Sequence, residues 1–319
     1  MKFLQKLLLL ASLSILLPVF LYAQDSSWSE LITKYKLLRQ QGLYVEAVDP
    51  AKRALEIAER TFGSAHPNVG RSMNNLAFLY QQLGKYADAE PLYERALEIA
   101  IKVFGPDHIN VAISISNVAA NYTNQGKYTK AETLHKKALA LIEKTLGSKH
   151  PHVTMCLHNL AGLYEEQGEY DRAEVFYKRA LEINENAFGE NHPELGPHLE
   201  SLALFYHDQG KFDEALTLFR RQMKIYESAF GRSYPYIPNC LENLAKVYIS
   251  QRRFSDAQSC YCQSLAICED ALGKNHESVA AVLEDMARCC REMGNKDDAV
   301  KYEDRAKKIR IVSIKAKLH

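Results

Sequence analysis

The chain has 319 residues, and 40 Lys+Arg against 39 Asp+Glu leave a formal net charge of +1. Nothing in so even a balance suggests nucleic-acid binding, which needs a clustered positive footprint. The one basic concentration, from Lys301 to Lys317, reads as a solvated closing helix.

The chain opens MKFLQKLLLLASLSILLPVFLYAQDSS, with Lys2 and Lys6 ahead of an apolar run from Leu7 to Leu21 and a small residue at Ala23. That is the layout of a secretory signal peptide spanning 1–23. The competing reading is an uncleaved membrane anchor, since the run approaches the roughly 17–25 residues that a spanning helix needs. Pro18 and Ala23 favour cleavage, although Leu21 departs from an A-x-A site. Either way, everything from residue 24 onward is expected outside the cytoplasm, periplasmic or secreted.

A 42-residue period follows. NNLAFLYQQLGKYADAE at 74–90 returns as SNVAANYTNQGKYTKAE at 116–132 and HNLAGLYEEQGEYDRAE at 158–174. Turn glycines recur at Gly42, Gly84, Gly126, Gly168, Gly210 and Gly294, with Arg252 at the one interruption. A second glycine series runs Gly63, Gly105, Gly147, Gly189, Gly231, Gly273, and alanine fills all of Ala47, Ala89, Ala131, Ala173, Ala215, Ala257 and Ala299. Self-similarity at such a period marks a repeat array. The units fall at about 28–63, 64–105, 106–147, 148–189, 190–231, 232–273 and 274–314.

Within the unit 64–105, Ser64, His66 and Pro67 form a helix start, because proline is tolerated in the first turn. Helix A then runs to about Leu83 with Leu76, Ala77, Leu79 and Tyr80 on one face, and Gly84 turns the chain. Helix B, about Tyr86 to Val103, carries Ala89, Leu92, Tyr93, Ala96 and Leu97 at the same spacing. Neither helix can bury its stripe alone. Alanines at the crossing points let neighbours approach closely, so the predicted fold is all-α, a solenoid of about seven helix-turn-helix units.

The pattern N-L-A-x-L-Y-x-x-x-G-K-Y-x-x-A-E-x-x-Y-x-R-A-L, followed by F-G-x-x-H-P, resembles the tetratricopeptide repeat in the 42-residue form of kinesin light chains and nephrocystin-like proteins. The likeness spans about 28–314. Lys34 and Tyr35 depart from it in the first unit, and Cys290 and Lys296 in the last, as suits capping repeats. Arg252 in a glycine position implies a different or strained turn. No heptad segment precedes the repeats, so a motor adaptor is not expected.

Seven cysteines are present, five of them between Cys260 and Cys290. Cys260 and Cys262 are about 200° apart on a helix and cannot share a zinc ion. Cys260 and Cys289 fall at positions held elsewhere by Leu or Phe, which marks them as small core hydrophobes. A Cys260–Cys289 disulfide stays open, subject to Cα atoms within roughly 7 Å. His66, His108, His150, His192 and His276 form a ladder whose members, one repeat apart, lie about 8–10 Å from each other, too far to share a metal. They read as helix caps. The N-Y-T sequon at Asn121 lies inside a helix and is a poor glycosylation site. No phosphate loop or H-E-x-x-H motif appears, so no catalytic residue, cofactor or metal is expected.

What remains is surface. The resemblance implies that helix A lines a concave groove and that the second asparagine of N-N-L-A faces it: Asn75, Asn117, Asn159 and Asn243, with Ser201 and Asp285 breaking the series. An amide offers donors and acceptors together and can pair with a peptide backbone; alternatively these amides satisfy neighbouring helix groups. Neighbouring positions include Asn74, His158 and Glu200, and, one turn on, Phe78 and Leu204. Glu242–Lys246 and Glu284–Arg288 have i,i+4 spacing and are expected to pair, whereas Glu200, opposite Leu204, has no such i,i+4 partner. The candidate groove residues are therefore Asn74, Asn75, Phe78, Asn117, His158, Asn159, Glu200, Leu204 and Asn243. The expected function is an exported, non-enzymatic scaffold for a protein or peptide partner. The alternatives are an envelope component that self-assembles through its convex face or end caps and, more remotely, a thiol-dependent enzyme.

Overall fold

The computed structural model describes residues 27–317; the expected signal peptide, 1–23, lies outside the described residues. Among them are fourteen α-helices and no strand, as the 3.6-residue periodicity predicts. The chain divides into two units, Met1–Ala173 and Glu174–His319.

In the first unit, α1 (27–40) is followed by α2 (Tyr44–Phe62), α3 (Pro67–Gln82), α4 (Tyr86–Phe104), α5 (Ile109–Asn124), α6 (Tyr128–Leu146) and α7 (Val153–Glu166). From α2 onward each packs against the next, and α5 also meets α3 and α7. The unit boundary falls within α8 (Tyr170–Phe188). The second unit continues with a short 3₁₀ turn, Pro193–Leu195, then α9 (Gly196–Asp208), α10 (Phe212–Phe230), α11 (Ile237–Ser250), α12 (Phe254–Leu272), α13 (Glu277–Glu292) and α14 (Lys296–Lys317). Successive helices from α9 to α14 pack in the same way.

The alanine ladder is the crossing point of each pair. Ala47, Ala89, Ala131, Ala173, Ala215 and Ala257 are wholly buried, as are Ala77, Ala119, Ala161, Ala203 and Ala245 on the A helices. Larger side chains close the first unit: Trp28 and Ile32 of α1 pack with Val69, Met73 and Ile99, and Tyr35 packs with Leu76 and Leu79. Tyr35 thus fills, with its ring, space that later units give to alanine, which explains why the first repeat departs from the pattern.

The A-to-B turn is a Schellman-type closure. Lys85 N–H donates to the Tyr80 carbonyl at 2.8 Å, and Gly84, at φ +70°, makes the reversal. Arg252 adopts the same turn, with Arg253 N–H donating to Tyr248 O at 2.8 Å, and among the described residues has the one positive φ (58°) outside glycine. The turn is unchanged and the strain is carried by the arginine backbone.

A second ladder ties repeat to repeat. The Tyr122 hydroxyl donates to Glu94 (3.1 Å) and Glu90 (3.3 Å), Tyr164 to Glu132 (2.7 Å) and, in the second unit, Tyr206 to Glu174 (3.0 Å). A cation joins each acid: Lys127 on Glu90, Arg172 on Glu132, Lys211 on Glu174. Hydrogen bonds from Lys136 and Tyr164 hold Glu132 down to about 2, and those from Lys178, Lys211 and Tyr206 do the same for Glu174. At the next step Leu216 replaces the acid, and Arg220 donates to Tyr248 instead, at 2.7 Å.

Candidate functional site

The histidine ladder closes the entry to the A helices. Nδ1 of His66, His108, His150, His192 and His276 each accepts the N–H two residues on, at 3.1–3.2 Å; His66, His108 and His276 thereby cap α3, α5 and α13, whereas His192 caps the 3₁₀ turn before α9 and His150 acts in the turn before α7. The preceding phenylalanine stacks on the ring at Phe62–His66, Phe104–His108 and Phe188–His192, and Tyr234 takes the same place over Phe230. These rings are architecture. Asn121 is likewise committed: it is buried in α5 and its amide donates to the Tyr86 carbonyl at 3.1 Å.

The predicted groove residues separate into four groups. Asn75, Asn117 and Asn159 stand at equivalent half-buried positions on α3, α5 and α7, and among the described residues their side-chain amides make no hydrogen bond. Asn74 lies beside Asn75 with its Oδ1 buried and unpartnered. A cleft of about 520 Å³ between α3, the C-terminal half of α4 and α5 brings Asn74, Asn75 and Asn117 together with Arg71. Ile99 and Phe104 line its apolar side. Arg71 is exposed and forms no ion pair among the described residues.

Phe78 belongs to the packing. It lies edge-on to Tyr44 with centroids 6.3 Å apart, the Arg39 guanidinium sits 5.3 Å over its ring, and it packs against the Tyr35 cluster. His158 is half-buried on α7, and Leu204 stands 42% exposed on α9.

Asn243 departs from the expected groove role because it serves Glu200. Glu200 has no i,i+4 cation, as Leu204 implies, but its carboxylate accepts from Asn239 Nδ2 and Asn243 Nδ2, both at 3.1 Å, and from Gln222 Nε2 at 3.1 Å. Asn243 is consequently buried and engaged rather than presented to a ligand. The expected i,i+4 pairs fail as well. Glu242 forms no ion pair with Lys246 and accepts a hydrogen bond from Ser264 Oγ at 3.3 Å. Glu284 is taken by Arg310, whose Nε and Nη2 reach its two oxygens at 3.1 and 3.0 Å, and Arg288 turns to Asp285. In both cases a helix B side chain outcompetes the flexible cation one turn away, because it arrives from the packed side.

Those corrections share a sequence signal that single positions hide. The helix B residue facing this part of helix A is Ala96, Ala138 and Ala180 where the A position is Asn74, Ser116 and His158; it becomes Gln222 and Ser264 where that position is Glu200 and Glu242. A carboxylate placed against the neighbouring helix requires a donor there.

The second unit repeats the first unit's cleft 168 residues on, now about 230 Å³ and lined by Pro235, Pro238, Asn239, Ile267, Leu272 and, as its ionisable group, Glu242. Burial pushes the Glu242 carboxyl above its ordinary value. One repeat earlier, Tyr226 covers the corresponding position: a methyl group added at Gly196 would fall on its hydroxyl, so glycine is required for that close approach.

A model of the tetratricopeptide repeat matches residues 36–102, 70–123, 110–186, 194–270 and 263–311, well over half of the chain. The chain belongs to the tetratricopeptide repeat family. Among solved structures, this tetratricopeptide chain is similar to BtubC (BKLC) from P. vanneervenii, at 23% identity over 72% of this chain and 90% of that one, TM-score 0.58. It is also similar to a Podosopora anserina putative kinesin light chain with nearly identical TPR-like repeats, at 26% identity over 65% and 98%, TM-score 0.54. A Rap protein complexed with Competence and Sporulation Factor aligns at 18% identity over 89% and 75%, TM-score 0.58. No curated protein matches the sequence significantly.

All seven cysteines are free, six of them buried and Cys262 exposed. Cys260 and Cys289 fill core positions as the period predicts, and burial pushes both thiols up to about 11. Among the described residues no three His, Cys, Asp or Glu side chains converge as a metal set would, and no helix is long and apolar enough to cross a membrane.

Proposed function

We propose that this tetratricopeptide chain is an exported, non-enzymatic scaffold that holds a partner protein or peptide on the face formed by its A helices. One observation carries the reading. Asn75, Asn117 and Asn159 present one uncommitted amide per repeat on that face, and two of them share a cleft with the unpaired Arg71. An extended peptide backbone offers donors and acceptors at intervals, and amides answer both. Repeat arrays characteristically use such surfaces for protein partners. Burial that raises the thiols at Cys240, Cys260 and Cys289 opposes the nucleophilic chemistry of a cysteine enzyme.

The test is a pull-down from the envelope fraction of the native source, comparing wild type with the Asn75→Ala/Asn117→Ala/Asn159→Ala variant. Capture of a partner by the wild type and its loss in the variant supports the reading; equal capture removes the amide face from it. The amino terminus of the native protein, read by mass spectrometry, tests export: cleavage after Ala23 supports it, and an intact Met1 in the cytoplasmic fraction overturns it.

A further inference from the structure

In three successive repeats of the second unit, one helix B position carries Tyr226, Cys268 and Arg310, each 42 residues from the next. The acid on the paired helix A is Glu200, Glu242 and Glu284 at the same spacing. At the first step Tyr226 covers the position over Gly196, and Glu200 is satisfied by three amides. At the third, Arg310 fills it and forks onto Glu284 through Nε and Nη2. The middle step is different. Cys268 is small, the cleft of about 230 Å³ stands where the larger side chains would be, and Glu242 has Ser264 as its hydrogen-bond donor and no cation within ion-pair distance among the described residues.

We propose that the cleft at Glu242 is an arginine-binding subsite, which takes the guanidinium of a partner's peptide segment in the place that Arg310 occupies one repeat later. The apolar wall of Pro235, Pro238, Ile267 and Leu272 suits the methylene stem, which buries readily while its head stays polar. The carboxylate supplies the planar acceptor pair that a guanidinium fork matches and an ammonium does not. Glu242 also gains most from such a guest, because burial already disfavours its charge, and a cation relieves that cost. Lys246, one turn on along α11, is exposed and acts on Glu242 through its charge without closing an ion pair, and no cationic side chain lines the cleft. The inference rests on the protein-binding reading only in that the arginine belongs to a partner.

The experiment titrates the full chain, labelled at its isoleucine and leucine methyl groups, with acetyl-Ala-Arg-Ala-amide and with the same peptide carrying citrulline, which keeps the shape and loses the charge. Saturable shifts at Ile267 and Leu272, with the citrulline peptide weaker by about tenfold or more, support the site. In Glu242→Gln, whose fold is checked by circular dichroism, the arginine peptide falls to the citrulline level. Absence of saturable shifts at those methyls, equal binding of the two peptides, or undiminished binding by Glu242→Gln overturns the proposal. A lysine peptide that binds as well as the arginine peptide overturns the guanidinium assignment. The asparagine variants lie in the first unit, so this titration and the pull-down fail independently.

Discussion

Asn243 occupies the same phase as Asn75, Asn117 and Asn159, yet the structure gives it a different task, and substitution to alanine separates the two. Its amide is one of three donors to Glu200, at 3.1 Å, and the side chain is 4% exposed. Removing a donor from this half-buried carboxylate costs about 1.5–3 kcal/mol. Alanine's better helix propensity returns roughly 0.5 kcal/mol, and Gln222 and Asn239 still hold the acid. The net loss for Asn243→Ala is therefore about 1–2 kcal/mol. For Asn75→Ala, Asn117→Ala and Asn159→Ala, with no hydrogen bond to lose, the change stays within about 0.5 kcal/mol. Repeat arrays depart from two-state unfolding, and Trp28, the single tryptophan, lies in α1 and reports on the first unit. Hydrogen exchange of the α9 and α11 amides is the appropriate assay: Asn243→Ala should accelerate it about fivefold to thirtyfold. Unchanged exchange there, or a loss above about 1 kcal/mol in any of the other three variants, would refute the division of the ladder into structural and presented amides.

Arg252→Gly should stabilise its turn by about 0.5–1 kcal/mol, since φ of 58° strains any side chain, whereas Gly168→Ala, at φ +73°, should cost a similar amount; urea unfolding followed by circular dichroism reads both. His135 is buried where equivalent positions carry Tyr93, Tyr177, Phe219 and Tyr261, and burial holds it down to about 4 from 6.5. A lowered histidine leaves the unfolded chain binding more protons, so its contribution is present above pH 6.5 and is lost as pH falls through about 4; His135→Phe should flatten that slope in a pH series of Trp28 unfolding curves. A thiol reagent should modify Cys262 alone in the native protein and all seven cysteines after denaturation; rapid native modification of a second thiol would contradict the packing of α12 and α13.

The fold was legible because every unit restates the same demand. An alanine where helices cross, a glycine where the chain reverses and a histidine ahead of helix A recur at 42 residues with single exceptions at Arg252 and Tyr234, and each answers a local need. The same reasoning failed where partners come from the neighbouring helix. The donors to Glu200 were hidden because they lie 22, 39 and 43 residues away, and Phe78 looked available because Tyr44 and Arg39 come from the previous repeat. The Tyr164–Glu132 and Tyr206–Glu174 bonds were hidden for the same reason: the acid and the phenol belong to successive units, 32 residues apart.

The informative variation is therefore joint. Reading helix A alone gives Asn74, Ser116, His158, Glu200, Glu242, Glu284, a drift from amide to acid; reading helix B alone gives Ala96, Ala138, Ala180, Gln222, Ser264, Ala306. Read together, the two rows say which acids the fold itself supplies with donors. Gln222 and the asparagines engage Glu200, and Arg310 reaches past Ala306 to engage Glu284. Glu242, with a single serine hydroxyl at 3.3 Å and a cleft beside it, has the fewest donors of these three acids. The first unit's equivalent cleft presents the opposite chemistry, an arginine among asparagines. Repetition thus supplies the scaffold, and the departures from it, paired across two helices, line one cleft with an arginine among asparagines and the other with a carboxylate.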